Sequence, residues 1–159
     1  MRQRRLGRTN LLVSEISLGT VALGLDYGLR AAAEDARPDE QAAAVLLNKA
    51  LDLGCNLIDT ARGYGASEEI IGRALKSRRA EYLIATKVPL FHKARLTGAE
   101  LQRAIITSAY DSLRALDTDV LDILQVHCVH SVPQIPDEVG ETLLELRDRG
   151  VVRHLGASV

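Results

Sequence analysis

Cysteine is scarce in this chain, and the two present, Cys55 and Cys128, are too few for a disulfide framework. No apolar run approaches the length of a membrane span. The basic cluster Arg2, Arg4, Arg5 and Arg8 is not followed by an apolar segment of signal-peptide length, and it reads as a solvated edge. An excess of either charge is also missing: the formal net charge is -1, which gives no general reason to expect nucleic acid, an acidic substrate or an anionic membrane as partner. A reducing, cytoplasmic setting is the expectation. Low-complexity segments and independent linkers are absent too. What remains is 159 residues with 47% hydrophobic content, the range of one globular domain with a sizeable core.

The chain alternates between two patterns. Short apolar runs at "EISLGT" (15–20), "NLIDT" (56–60), "YLIATK" (82–87), "VLDILQVH" (120–127) and "VRHLGAS" (152–158) fit strands buried on both faces. Between them lie helical patterns. The first opens with Pro38 in its first turn, buries Ala42, Val45, Leu46, Ala50 and Leu53, and stops at Gly54. Ser67 caps the second, Glu68 and Glu69 charge its N-terminus, and Ile70, Ile71, Ala74 and Leu75 form its buried face. Thr97 and Glu100 form a capping-box pattern ahead of Leu101, Ile105, Ala109, Leu113 and Leu116. The fourth helix starts near Pro136, buries Val139, Leu143 and Leu146, and stops at Gly150.

Strands alternating with helices predict parallel βαβ units in an α/β fold. A doubly wound sheet would carry a glycine fingerprint in its first βα turn, and "LGTVALGLDYG" supplies no G-x-G-x-x-G. A barrel instead predicts functional polar residues at the C-terminal ends of successive strands. Asp59, Lys87 and His127 end the second, third and fourth strands, and Tyr64 follows in the loop beyond Asp59.

That set has a chemical logic. A tyrosine donates a proton well at neutral pH only if its phenolate is stabilised, which a nearby lysine does. Asp59 favours the charged lysine, and a histidine can orient a carbonyl or share in proton transfer. The assembly suits protonation of a carbonyl oxygen while hydride arrives at carbon. No side chain here supplies hydride, so a nicotinamide cofactor is implied.

Each residue also has a plainer reading. Asp59 alone could be a strand-end cap, Lys87 a snorkelling surface lysine and Tyr64 a loop anchor; their joint placement favours catalysis. "HCVH" (127–130) invites a zinc reading, yet no further Cys or His pair stands at typical spacing, and no metal is expected. Cys55 and Cys128 read as buried packing residues, His92 and His154 as structural ones, and Gly63 and Gly65 as turn residues around Tyr64.

"NLIDTARGYGASEEIIGRAL", "IATKV", "LDILQVH" and "VVRHLGAS" resemble successive motifs of the aldo-keto reductase family, and "LGRTNLLVSEISLGT" resembles its N-terminal hairpin and first barrel strand. The resemblance implies a (β/α)8 TIM barrel, NADP(H) as cofactor, and reduction of a small aldehyde or ketone to an alcohol. It casts Tyr64 as proton donor, Lys87 and Asp59 as its support, and His127 as the residue that orients the carbonyl. Gly19 and Thr20 match the strand end beside the nicotinamide ribose. Ser158 matches the family's carboxamide-holding serine, although Val159 stands where an asparagine often follows. A C-terminal iron–sulfur module of some similar members would lie outside this chain.

A full barrel of this kind needs about 250 residues. The expectation is therefore a partial barrel over 1–159, with about five strands, four helices and an N-terminal hairpin, as a single truncated domain. Such a fragment would be weakly active or inactive alone. Competing readings are a non-catalytic binding or regulatory module, and a half-barrel completed by another chain or by a second copy of itself.

Overall fold

The computed structural model describes residues 1–27, 37–90, 96–127 and 135–158. The chain opens with an antiparallel hairpin of β1 (Gln3–Arg5) and β2 (Leu12–Ser14). Asn56 clamps this hairpin to the body: its side-chain oxygen accepts from Ser14 N at 2.7 Å, and its Nδ2 donates to the Leu12 carbonyl at 3.0 Å.

Five parallel strands follow, β3 (Leu18–Gly19), β4 (Leu57–Asp59), β5 (Leu83–Pro89), β6 (Leu121–His127) and β7 (Val152–Ala157), adjacent in chain order. Between them run α1 (Val21–Gly24), α2 (Glu40–Asp52), α3 (Ser67–Leu75), α4 (Gly98–Ala115) and α5 (Asp137–Asp148). Strand order equal to chain order, with a helix in every crossover, is the arrangement of a barrel wall rather than of a doubly wound sheet. The molecule is thus a partial α/β barrel. Ile58, Ile84, Val88 and Leu124 share one buried core with Leu47, Ile71, Ile105 and Leu146 of the helices.

Several sequence expectations about the helices need correction. The buried face of α2 is Ala43, Leu47 and Leu51, whereas Val45, Leu46 and Leu53 are exposed and Ala42 lies with them. Two apolar stripes are interleaved on this helix, and spacing alone does not choose between them. Its N-cap is Asp39, whose side chain accepts from Ala42 N at 2.7 Å, so Pro38 precedes the helix instead of opening it. Thr97 is the N-cap of α4 but makes no side-chain capping bond. A fifth, four-residue helix, α1, had no periodicity to announce it. The expected faces of α4 and α5 are buried, and Gly54 and Gly150 take positive φ where α2 and α5 stop.

At the N-terminal ends of the strands, the enclosed carboxylate of Asp122 accepts from Arg79 and Arg153, each at 2.8 Å, and from Ile84 N at 3.0 Å. It ties β5, β6 and β7 together at the end remote from Asp59 and His127. Among the described residues, no helix is long and apolar enough to cross a membrane.

Candidate active site

Register decides which side chains share the strand-end rim. Asp59 pairs with Ala85, so Lys87, two residues further along β5, points to the same face as Asp59. Lys87 pairs with Gln125, so His127 shares that face in turn. β5 continues to Pro89, which places Lys87 two residues inside the strand end rather than at it. The shift seats the lysine deeper than its neighbours, and only 4% of the residue is exposed.

Burying an ammonium requires partners for its three N–H groups. Lys87 Nζ has three: Asp59 Oδ1 at 2.6 Å, the Thr60 carbonyl at 2.9 Å and the Tyr64 hydroxyl at 3.5 Å. The phenol oxygen that accepts from the ammonium keeps its own proton free to donate outward. The Tyr64 ring meets His127 edge-on, with centroids 5.6 Å apart. Burial, and next the positive charge of Lys87, hold the His127 imidazole below the usual histidine range, while Asp59 acts the other way. A neutral imidazole results at neutral pH, suited to hydrogen bonding more than to carrying charge.

Beneath the rim lies a knot of hydroxyls. Ser67, expected to cap α3, is instead its first residue, and Ala66 is the N-cap. The Ser67 hydroxyl is fully buried and lies 2.8 Å from Thr20 Oγ1 and 3.1 Å from Thr60 Oγ1. Thr20 Oγ1 donates to the Asp59 carbonyl at 2.9 Å. The knot joins β3, the end of β4 and the start of α3 under the loop that carries Tyr64. Of the residues expected near a cofactor, Thr20 is therefore buried in this knot. Gly19 is exposed beside Asp59, and Ser158 is half-buried beside β6, its N donating to the Val126 carbonyl at 2.8 Å.

Sequence reasoning assigned Glu68 to a charged helix start, yet it is fully enclosed. The signal was present: Glu68 stands three and seven residues before Ile71 and Leu75, in phase with the buried stripe. Gly24, which packs against the Tyr64 loop, was missed because α1 was missed. Cys55 is buried as expected. Cys128 and His130, weighed with His127 as metal ligands, lie outside the described residues, as do His92 and Val159. Among the described residues, no three His, Cys, Asp or Glu side chains cluster as a metal site.

The sequence pattern of the aldo/keto reductase family matches residues 15–159. Over 165 residues, the chain is 36% identical to aldo-keto reductase YhdN of Bacillus subtilis, a match covering 99% of this chain and 47% of that protein. It is 33% identical to the NADH-specific methylglyoxal reductase of Escherichia coli, over 99% of this chain and 52% of the relative. An aldo-keto reductase from Klebsiella pneumoniae in complex with NADPH superposes with a TM-score of 0.75 at 29% identity, over 99% of this chain and 49% of the other. The chain thus spans about half the length of the curated relatives it matches.

Proposed function

The chain belongs to the aldo/keto reductase family, and on that premise we propose that residues 1–159 are the N-terminal, catalytic part of a barrel that reduces a small aldehyde or ketone with NADP(H). The observation that carries this reading is the three-way coordination of Lys87 Nζ by Asp59, Thr60 and Tyr64.

Tyr64 is the proton donor. Its hydroxyl accepts from the Lys87 ammonium, so the negative charge that develops on the phenol oxygen as its proton leaves is met by the fixed positive charge of a buried lysine. Asp59 pairs with the Lys87 ammonium and holds it in place. His127, neutral and edge-on to Tyr64, directs a carbonyl oxygen toward the phenol by hydrogen bonding. The nicotinamide, when bound, supplies the hydride.

The rim fits such a group. Among the described residues, none beyond its own chain neighbours stands within 4 Å of where a Cβ of Gly19 would be, which leaves room at the end of β3. About a third of the Asp59 side chain, 34%, is open. Gly19, Asp59 and Ser158 would hold the nicotinamide end, and Thr20 would support them from below through the Asp59 carbonyl. NADP(H) is the preferred reading because the Klebsiella neighbour is described with NADPH. An NADH-specific relative makes titration with both dinucleotides the direct check.

The deciding experiment, in a full-length or complemented form of the barrel, is Tyr64→Phe, alone and with Lys87→Met. Phenylalanine keeps the ring and removes the donor, so turnover should fall by about 100-fold or more while dinucleotide affinity stays within about twofold. Lys87→Met should add little on top, because a lysine that assists a phenol has nothing left to assist. Near-wild-type turnover in Tyr64→Phe would sink the assignment.

A further inference from the structure

Glu68 is a fully enclosed carboxylate for which the proton-transfer chemistry has no use. Its Oε1 accepts from Thr86 Oγ1 at 2.5 Å, and Thr86 immediately precedes Lys87 on β5. Its Oε2 lies 2.7 Å from Arg62 Nη1, an ion pair without hydrogen-bond alignment. Arg62 stands two residues before Tyr64. The Arg62 backbone N also donates to the Lys87 carbonyl at 3.4 Å, and its Nη2 donates to Glu69 Oε1 at 2.7 Å. One carboxylate thus touches the strand that carries the lysine and the loop that carries the phenol.

Packing does not call for a charge there. Glu68 falls on the stripe of Ile71 and Leu75, where an apolar side chain would avoid the cost of burying a carboxylate. Burial pushes the Glu68 carboxyl up, opposed by the Thr86 hydroxyl, the Arg62 guanidinium and the Ser112 hydroxyl of α4. Glu69 holds the outer nitrogen of Arg62 whatever stands at position 68; what a leucine could not do is draw the inner nitrogen against Thr86. Because Arg62 leads directly into the Tyr64 turn, a guanidinium held at its outer end alone would leave the loop less fixed at the point nearest the phenol.

We infer that Glu68 is a positioning residue, which sets the Tyr64 hydroxyl against Lys87 Nζ by holding Arg62 and Thr86 together. The inference rests on the reading of Tyr64 and Lys87 as the proton-donating pair. Its structural part can be tested without turnover.

Glu68→Gln keeps the shape and the acceptor for Thr86 while removing the buried one of the two charges that pair with Arg62. In hydrogen exchange on the 159-residue chain, the amides at positions 62, 64 and 67 are bonded to the carbonyls of Lys87, Ala61 and Tyr64. They should exchange about tenfold faster in the variant, with Ile84 and Leu124 unchanged. Unchanged rates at those three positions, or equal acceleration everywhere, would overturn the inference. Arg62→Met should reproduce the local effect, and the double variant should go no further; independent, multiplying effects would also overturn it. This second variant decides the matter if Glu68→Gln does not fold. In steady-state kinetics, Glu68→Gln should lower kcat about tenfold with KM within about twofold. If Tyr64→Phe is inactive and Glu68→Gln keeps wild-type kcat, the positioning role is wrong. If turnover survives Tyr64→Phe, the reductase chemistry is wrong instead, and the exchange rates alone decide whether Glu68 holds the loop.

Discussion

Gly24 and Tyr64 are packed backbone to backbone: a Cβ on Gly24 would stand 1.7 Å from the Tyr64 carbonyl oxygen. The contact is mutual. Gly65, at φ +56, would place a Cβ 2.3 Å from the Gly24 carbonyl oxygen. The short helix α1 is therefore a floor under the Tyr64 turn, and both sides of the contact require a residue without a side chain.

Gly24→Ala should push this turn away from Lys87. Overpacking of this kind costs about 1–3 kcal/mol, and the Lys87 to Tyr64 contact, already at 3.5 Å, is the first to open. The expected result is a modest fall in denaturant midpoint together with a loss of kcat larger than the stability change accounts for. Retained kcat at reduced stability would mean that α1 supports the fold but not the phenol.

A second prediction separates the two apolar stripes of α2. Leu47 is fully buried and Leu46 is about half exposed, 46%, although they are neighbours in sequence. Leu47→Ala should cost about 2–5 kcal/mol by leaving a cavity, while Leu46→Gln should stay within about 0.5 kcal/mol. Urea denaturation of the two variants is enough. Equal losses would mean that the helix is rotated relative to the sheet.

The α2 stripes also show where sequence reading stops. The positions of the strands were legible because two constraints, apolarity and a chemically coherent rim, fell on the same positions, although only β5 and β6 are buried along most of their length, whereas β3 and β7 are largely uncovered. Asp59, Lys87 and His127 came together for that reason, and strand register carries them to one face. The helix face was ambiguous because Ala42, Val45 and Leu46 repeat at helical spacing as well as Ala43, Leu47 and Leu51 do. Ser67 and Glu68 were misread for a different reason. Polar residues at a helix start ordinarily face water, and here Ser67 and Glu68 are enclosed in hydrogen bonds to Thr20, Thr60 and Thr86. Gly24 could not be found locally at all, since its role depends on a carbonyl 40 residues away in sequence.

The third prediction concerns acid. Burial first, then Lys87, lower the His127 pKa from the model-peptide value of 6.5. The unfolded chain therefore takes up this proton before the folded one does, and stability drops as pH falls below about 6.5 toward the lowered folded value. His127→Asn removes the titration. Between pH 7 and pH 5, the wild-type denaturant midpoint should fall further than that of the variant; parallel curves would show that the imidazole is not desolvated in solution.

The last prediction follows from the sheet's edges. β3 and β7 end the five-stranded order, so among the described residues each pairs on one side only. The two edges differ in consequence. β3 has two residues and offers little to pair with, whereas β7 has six, and only Val152 among them is buried. Strands of parallel sheets are ordinarily covered on both faces, and an uncovered edge is a template for another strand. Exposed Leu12 in the hairpin and Ile16 after it, with Val45 on α2 and Leu53 just past its end, add apolar surface that favours association. The purified 159-residue chain should accordingly associate as its concentration rises in sedimentation velocity. At low concentration, the amides of Val152–Ala157 should exchange faster than those of Leu121–His127, and association should slow them selectively. A monomer at all concentrations, with β7 protected as strongly as β6, would show that the edge is closed by contacts within the chain itself.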